Sequence, residues 1–380
     1  MRICALAVVC CLLPACGGAS NAPAPASGAA GPAASAPASA ASSAPKAVAS
    51  SGAATAPQLP MHELQLKSLR AYVRAFNKHD AKAIAALYAE EAAFVERGEF
   101  VSAGGSSIEA NYQAYFDAFP DSSTAITRSW HWGDMVMFEY VEGGTNTGKH
   151  RAHPQPTGKK FGYVGASIQR FKDNGLVRQD ETFSDELTRE VQAGWAPAAL
   201  AKMPVRPLMP VPAASDTWEV HKVTEADAAQ AKANAAKKSL YSKFALKNEK
   251  DFLGALTDDV VLSPFDDPKD AKGKKEAGAL FLDWTKTFAD GVVDASDGWS
   301  VDGYVVLVGT YSGKHVGAWG PLKPTNKTFK SHFLDIAKVG KDDKIERLWS
   351  YANNYELLKH LGYQKDEVTA ELPHDPMSPK

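Results

Sequence analysis

Cysteine is nearly missing from this chain of 380 residues: all four (Cys4, Cys10, Cys11 and Cys16) fall in the first sixteen positions. The body beyond them therefore has no internal disulfide, no cysteine nucleophile and no cysteine-ligated metal, and its domains hold together by core packing alone. Charge of one sign is missing too. The formal net charge is −2 and no long block of like charge occurs, so nucleic-acid binding has no electrostatic support. The sequence also lacks a phosphate-cradling glycine loop, a serine-nucleophile elbow and a dinucleotide fingerprint, and it implies no cofactor. His150 and His153 flank Arg151 without a third ligand nearby, so they read as a solvated basic loop and no metal site is expected. Asp258-Asp259 and Asp266-Asp267 read as strand-end turns.

The only long apolar run, Ile3 to Leu13, follows Arg2 and is too short to span a bilayer. The next four residues, Leu13-Pro14-Ala15-Cys16, resemble a bacterial lipobox, which implies a signal peptide over 1–16 and lipidation of Cys16. An ordinary secretory signal cut near Ala15 or Ala19 is the alternative. The resemblance implies a bacterial cell-envelope protein held by a lipid anchor, at the outer membrane in a Gram-negative cell. Residues 17–58 are almost wholly Ala, Pro, Ser and Gly, a composition that buries nothing and serves as a disordered tether.

With 44% hydrophobic and 23% charged residues, the remainder suffices for two globular domains. Leu69, Tyr72, Val73 and Phe76 lie on one face of a helix. Asp80 caps a second helix carrying Ile84, Leu87 and Tyr88, and Ser106 with Glu109 forms a capping box for a third. From Ser123 the period changes to two, giving strands near Ala125–Trp132, Met135–Glu142, Phe161–Phe171 and Leu176–Phe183. The arrangement then recurs. Gly144 is answered by Gly309, Pro156 by Pro324 and Phe119 by Phe288, so a whole domain is duplicated. The second copy has helices over Ala235–Phe244, after Asn248, and around Ala277–Phe288, then strands at Ser300–Thr310, Thr328–Lys338 and Lys344–Tyr351. The divisions are 59–194 for the first domain, 195–222 for a Pro-rich linker, 223–365 for the second domain and 366–380 for a polar tail. The fold class is α+β: two tandem domains, each with three helices on a strongly bent antiparallel sheet. Packing these sheets on each other would make an intramolecular pseudo-dimer.

Several stretches carry a family resemblance: Phe119-Pro120-Asp121, the turn Gly144 to Gly148, Pro156-Thr157-Gly158-Lys159, Phe171 to Gly175, and the closing set Asp185, Gln192 and Gly194. In the second copy the closing set is Asn353, His360, Leu361 and Gly362. Together they resemble the SnoaL-like polyketide cyclases of the nuclear transport factor 2-like superfamily. That resemblance implies a cone whose open end holds an apolar pocket, and a general acid/base role for Asp185 in an aldol ring closure. The residues themselves leave a second role open for Asp185, capping the helix that follows. Asn353 cannot accept a proton, which makes the second copy degenerate in this respect. The family's histidine in the glycine turn is replaced by Asn146 and Tyr311. His131 can substitute only if it faces inward, and alternation then turns Trp130 and Trp132 outward. The candidate pocket residues are Trp130, Trp132, Phe138, Tyr140, Phe183, Trp349, Tyr351 and Asn353. Two functions follow: a non-catalytic envelope lipoprotein binding an apolar small molecule, or a cyclase or isomerase using Asp185.

Overall fold

The computed structural model describes residues 59–96, 100–150, 155–223, 248–340 and 342–363. The expected signal peptide, tether, Ala235–Phe244 helix and polar tail lie outside them. Helix α1 (Met61–Phe76) buries Leu69, Val73 and Phe76, the predicted stripe. It ends at Asn77, whose amide donates to Val73 O at 2.8 Å and Thr124 O at 2.9 Å. Asp80 caps α2 (Ala81–Ala85) by accepting from Ala83 N at 2.9 Å. The helix is shorter than the sequence suggests. Tyr88 already belongs to strand β1 (Tyr88–Glu96), which pairs with the short β2 (Phe100–Ala103). Helix α3 (Gly105–Ala118) starts after Gly104 with no side-chain cap, so the Ser106–Glu109 box is not used. Strands β3 (Ser123–Trp132), β4 (Met135–Thr145), β5 (Lys160–Phe171) and β6 (Val177–Ser184) form the antiparallel run. Helix α4 (Glu186–Ala193) closes the first copy at Gly194, whose left-handed φ of 76° suits glycine.

The second copy repeats the order. Asn248 caps α5 (Glu249–Gly254); β8 (Leu256–Pro264), β9 (Ala271–Lys272) and α6 (Gly273–Thr287) follow. Asp258 and Asp259 thus lie within β8, not in a turn. Strand β10 (Phe288–Val301) and β11 (Tyr304–His315) meet in a hairpin at Asp302-Gly303, both with positive φ. The expected single strand Ser300–Thr310 is therefore two strands and a turn. Next come β12 (Thr328–Val339), β13 (Ile345–Ala352) and α7 (Asn354–Leu361), which again ends on a left-handed glycine, Gly362.

The first sheet has seven strands in the order β2-β1-β6-β5-β4-β3-β7, and the second six in the order β10-β11-β12-β13-β8-β9. Each is mainly antiparallel, with a parallel pair where β1 meets β6 and β8 meets β13. The described residues from Pro60 onward form one compact unit. Both faces of the central strands are buried, and alternation divides their side chains between two environments. Phe138, Tyr140, Phe161 and Tyr163 turn toward the helices of the first copy. Their strand neighbours Met137, Val141, Val164, Ala166 and Ile168 turn outward and pack with Val306, Val308, Leu334 and Ile336 of the second sheet. Full burial of one such side chain contributes about 1.5–3 kcal/mol.

The segment between the copies is a packed strap. Leu200 and Met203 enter the apolar cluster of the second copy, while Met209 N donates to Gly162 O on β5 at 2.9 Å. Arg206 donates to Pro264 O at 2.6 Å, Asp267 O at 3.0 Å and Asp270 Oδ1 at 3.0 Å. The strap ends as β7 (Glu219–Lys222), a parallel edge strand on β3. There His221 stacks on Trp130 and contacts Asp302 Oδ2 of the second copy through Nδ1 at 2.7 Å.

Candidate functional site

Asp185 is 3% exposed and sits between β6 and α4. One carboxyl oxygen accepts from Thr188 N at 3.2 Å and Thr188 Oγ1 at 2.5 Å; the other accepts from Asn354 N of the second copy at 3.1 Å. The side chain therefore caps its own helix and also satisfies the first turn of α7. Burial pushes its carboxyl up to about 6, against the lowering effect of these donors. Asn353, its counterpart, caps α7 by accepting from Tyr355 N at 3.0 Å. Neither residue is presented to the interior of a cone; the two lie at the contact between the copies.

The aromatic candidates divide the same way. Phe138 and Tyr140 line the first cone. Trp130, Phe183 and Tyr351 belong to the inter-sheet cluster, and Trp132 and Trp349 pack against it. These five are thus moved from the expected pocket to the sheet–sheet contact, because each occupies the outward phase of its strand. Between the sheets lies an apolar cavity of about 20 Å³ lined in part by Trp130, Trp132, Met137, Ile168, Trp299 and Val306. It has room for about one water molecule. Tyr351 Oη donates to Glu139 of β4, which also holds Arg128 at 2.5 Å, and the Arg128 guanidinium lies 3.8 Å from the Trp349 ring centroid.

His131 points inward while both neighbouring tryptophans point outward. Its Nδ1 pairs with Gln65 Oε1 of α1 at 2.9 Å and its Nε2 with Ser129 Oγ at 2.9 Å. Burial lowers its pKa to about 3, so the imidazole stays neutral and ties β3 to α1. In the glycine turn, buried Asn146 accepts from Thr157 N at 2.8 Å and Trp195 Nε1 at 3.2 Å and donates to Gly148 O at 2.9 Å. Its counterpart is His315, not Tyr311. The backbone pairing of Asn146 with Lys159 and Gly158 recurs at His315 with Lys327 and Asn326. A histidine thus occupies this turn in the second copy, and Tyr311 points into the apolar cluster. His150 stacks on Trp195, and His153 lies outside the described residues.

The first cone also contains two buried carboxyl groups that the sequence reading missed. Asp180 accepts from Tyr88 Oη at 2.6 Å, Gln169 Nε2 at 2.7 Å and Ser167 Oγ. Glu142 accepts from Tyr115 Oη at 2.5 Å and Tyr163 Oη at 3.1 Å. Burial raises the pKa of both. Glu142 was visible as the inward continuation of Phe138 and Tyr140. Asp180 lay inside an otherwise polar run, where nothing marked it as buried.

Helices laid on the inner face of a bent sheet, twice over, make two α+β cones. The family model for the SnoaL-like domain matches residues 69–179, and that for the SnoaL-like polyketide cyclase matches residues 238–361. The chain therefore carries two SnoaL-like domains in tandem. Among solved structures, a protein assigned as a SnoaL-like polyketide cyclase from Jannaschia sp. is 14% identical, covering 38% of this chain and 100% of its own, with a TM-score of 0.34. IdmH from Streptomyces antibioticus, assigned as a polyketide cyclase, is 24% identical over 34% of this chain and 96% of its own, TM-score 0.30. A ketosteroid isomerase-like protein from Catenulispora acidiphila, in complex with trimethylamine, is 22% identical over 34% and 98%, TM-score 0.29. No curated protein matched the chain.

Proposed function

We propose that this is a lipid-anchored protein of the bacterial cell envelope that binds an apolar small molecule within a cone, without a catalytic step at Asp185. The state of Asp185 carries the reading: three donors from two helices already occupy its carboxyl group, away from either cone interior. Without a free acid/base at the family position, a cone lined by Phe138, Tyr140, Phe161 and Tyr163 serves to enclose a ligand. The anchor is Cys16, at the outer membrane where the cell has one. Among the described residues no helix is long and apolar enough to cross a bilayer. Cys16→Ser is expected to move the protein from the membrane fraction to the soluble one, or to leave the precursor uncleaved. A wild-type protein that is soluble with an unmodified amino terminus would refute the anchor. For the cone, binding of an apolar fluorescent probe unchanged in Asp185→Asn, with no turnover by either protein, is the expected result.

One observation favours a second reading, a cyclase or isomerase. Burial brings the Asp185 carboxyl to about 6, close to neutrality, where a general acid/base is effective. That reading requires Asp185→Asn to lower turnover of a carbonyl-bearing polycyclic substrate by about 10²–10⁴-fold with the fold intact.

A further inference from the structure

The cavity between the two sheets brings sulfur and indole side chains together. It measures about 20 Å³, and among its walls are Trp130, Trp132, Met135 and Met137 of the first copy and Trp299 and Val306 of the second. Met135 and Met137 are two residues apart on β4, so both side chains leave the same face of the strand. The register sets Trp130 opposite Met137 and Trp132 opposite Met135. Directly opposed residues have Cβ atoms about 4.5–5.5 Å apart, so each thioether side chain has an indole as its cross-strand neighbour. Both methionines are buried, at 6% and 4% exposure, whereas Trp132 and Trp299 are half-buried. The cavity therefore lies at the rim of the inter-sheet layer.

A space of this size holds a water molecule well only where two to four polar groups bind it. Among the described residues, the side chains lining it offer hydrocarbon, two thioether sulfurs and indole rings, and no carboxylate, hydroxyl or imidazole. Water is a poor occupant, and a hard cation such as Mg²⁺ or Zn²⁺ finds no oxygen or imidazole ligand there. A thioether is a neutral, soft donor that needs no deprotonation, and such donors select monovalent copper. Silver(I) shares that softness, and both ions accept two-coordinate geometry. An indole face attracts a desolvated cation more strongly than the other aromatic rings do. Burying a positive charge in an apolar interior is costly, and the position at the rim lowers that cost.

We propose that Met135 and Met137 form a binding site for a soft monovalent cation, Cu(I) or Ag(I), flanked by the indoles of Trp130 and Trp132. Trp299 closes it from the second copy. The site lies between the sheets, so it is independent of what either cone encloses.

The test uses the full chain with Cys4, Cys10, Cys11 and Cys16 replaced by Ser, so that no thiol competes, and with its methionine methyl groups isotopically labelled for NMR. Silver nitrate in chloride-free buffer is the probe. Of the seven methionine methyl resonances, two are expected to move together and to stop moving at one equivalent, with tryptophan fluorescence quenched in parallel. Through-space contacts to indole protons identify the pair. Cu(I), supplied without oxygen as its acetonitrile complex, is expected to act alike, and K⁺ and Zn²⁺ to do neither. Met135→Leu and Met137→Leu, swaps that cores tolerate, are each expected to weaken Ag(I) binding by about 10-fold or more. No movement, movement of all seven resonances alike, or an affinity unchanged in the double Leu variant overturns the site. The resonances that shift before any substitution decide the matter even where a thermal melt shows a Leu variant to be unfolded.

Discussion

Replacing Asp185 by Asn sets two opposing effects against each other. Burial disfavours the carboxylate, and three hydrogen-bond donors favour it. If burial wins, the folded-state pKa is about 6 against an ordinary value of 3.8. The unfolded chain then releases its proton at lower pH than the folded one does. The stability contributed by this group is fully present below about pH 4 and is lost as pH rises through about 6. A shift of about two units at 1.36 kcal/mol each makes the loss about 3 kcal/mol. Asn cannot ionise and is free of this loss, while groups elsewhere titrate alike in both proteins and cancel. The difference in unfolding free energy between Asp185→Asn and wild type should therefore move by about 3 kcal/mol in the variant's favour from about pH 4 to about pH 7. Urea unfolding at several pH values, read as the midpoint with the slope held common, measures it. A difference that does not change with pH, or one that moves in wild type's favour as pH rises, would mean that the donors outweigh burial. The account of Asp185 given above would then fail.

His131, held at about 3, should show no titration of its ring proton resonances between about pH 8 and pH 5. Because the unfolded chain does bind the proton, this group withdraws stability as pH falls from about 6.5 toward 3, at up to about 1.4 kcal/mol per unit. A ring midpoint near the ordinary histidine value would refute its buried, neutral state. Gly162→Ala places a methyl group 2.2 Å from Met209 O. The strap must lift, its bond to β5 is lost, and chymotrypsin should cut after the exposed Leu208 faster than in wild type; an unchanged cleavage pattern would contradict the contact. Because the two sheets cover each other, light scattering of the full chain in mild detergent should give the mass of one protein per particle, and a tight dimer would contradict that arrangement.

The antiparallel hairpins were legible in the sequence because the apolar run from Met135 to Tyr140 and the turn residues at Gly133 and Gly175 are local signals. Strand β1 was not. Its Ala- and Glu-rich stretch from Tyr88 to Ala93 favours a helix, and only parallel pairing with β6, nearly ninety residues away in register, makes it a strand. Which face of each strand looks into the cone was also hidden. Alternation identifies a buried face when the other face is wet, but these sheets are buried on both sides, so Trp130, Phe183 and Tyr351 looked as suited to a pocket as Phe138 and Tyr140. Asp335, fully buried in β12, carried a usable signal as a single carboxyl among Phe333, Leu334, Ile336 and Ala337. His315 was hidden by matching Gly144 to Gly309: the spacing that carries Phe119 to Phe288 carries Gly144 to Gly313 and Asn146 to His315.

The shared inter-sheet layer has a consequence for how the chain is made. Synthesis runs from the amino terminus, so the first copy can pair its strands and close over its own helices before the second exists. Its outer face, with Trp130, Met137, Val141, Val164, Ile168 and Phe183, stays uncovered until the stretch from Val301 to Tyr351 has emerged. A half-finished chain thus carries a broad apolar surface and an unpaired sheet through much of its production. Shielding by a holdase over that interval, or quick arrival of the second half, is what separates a folded protein from an aggregate.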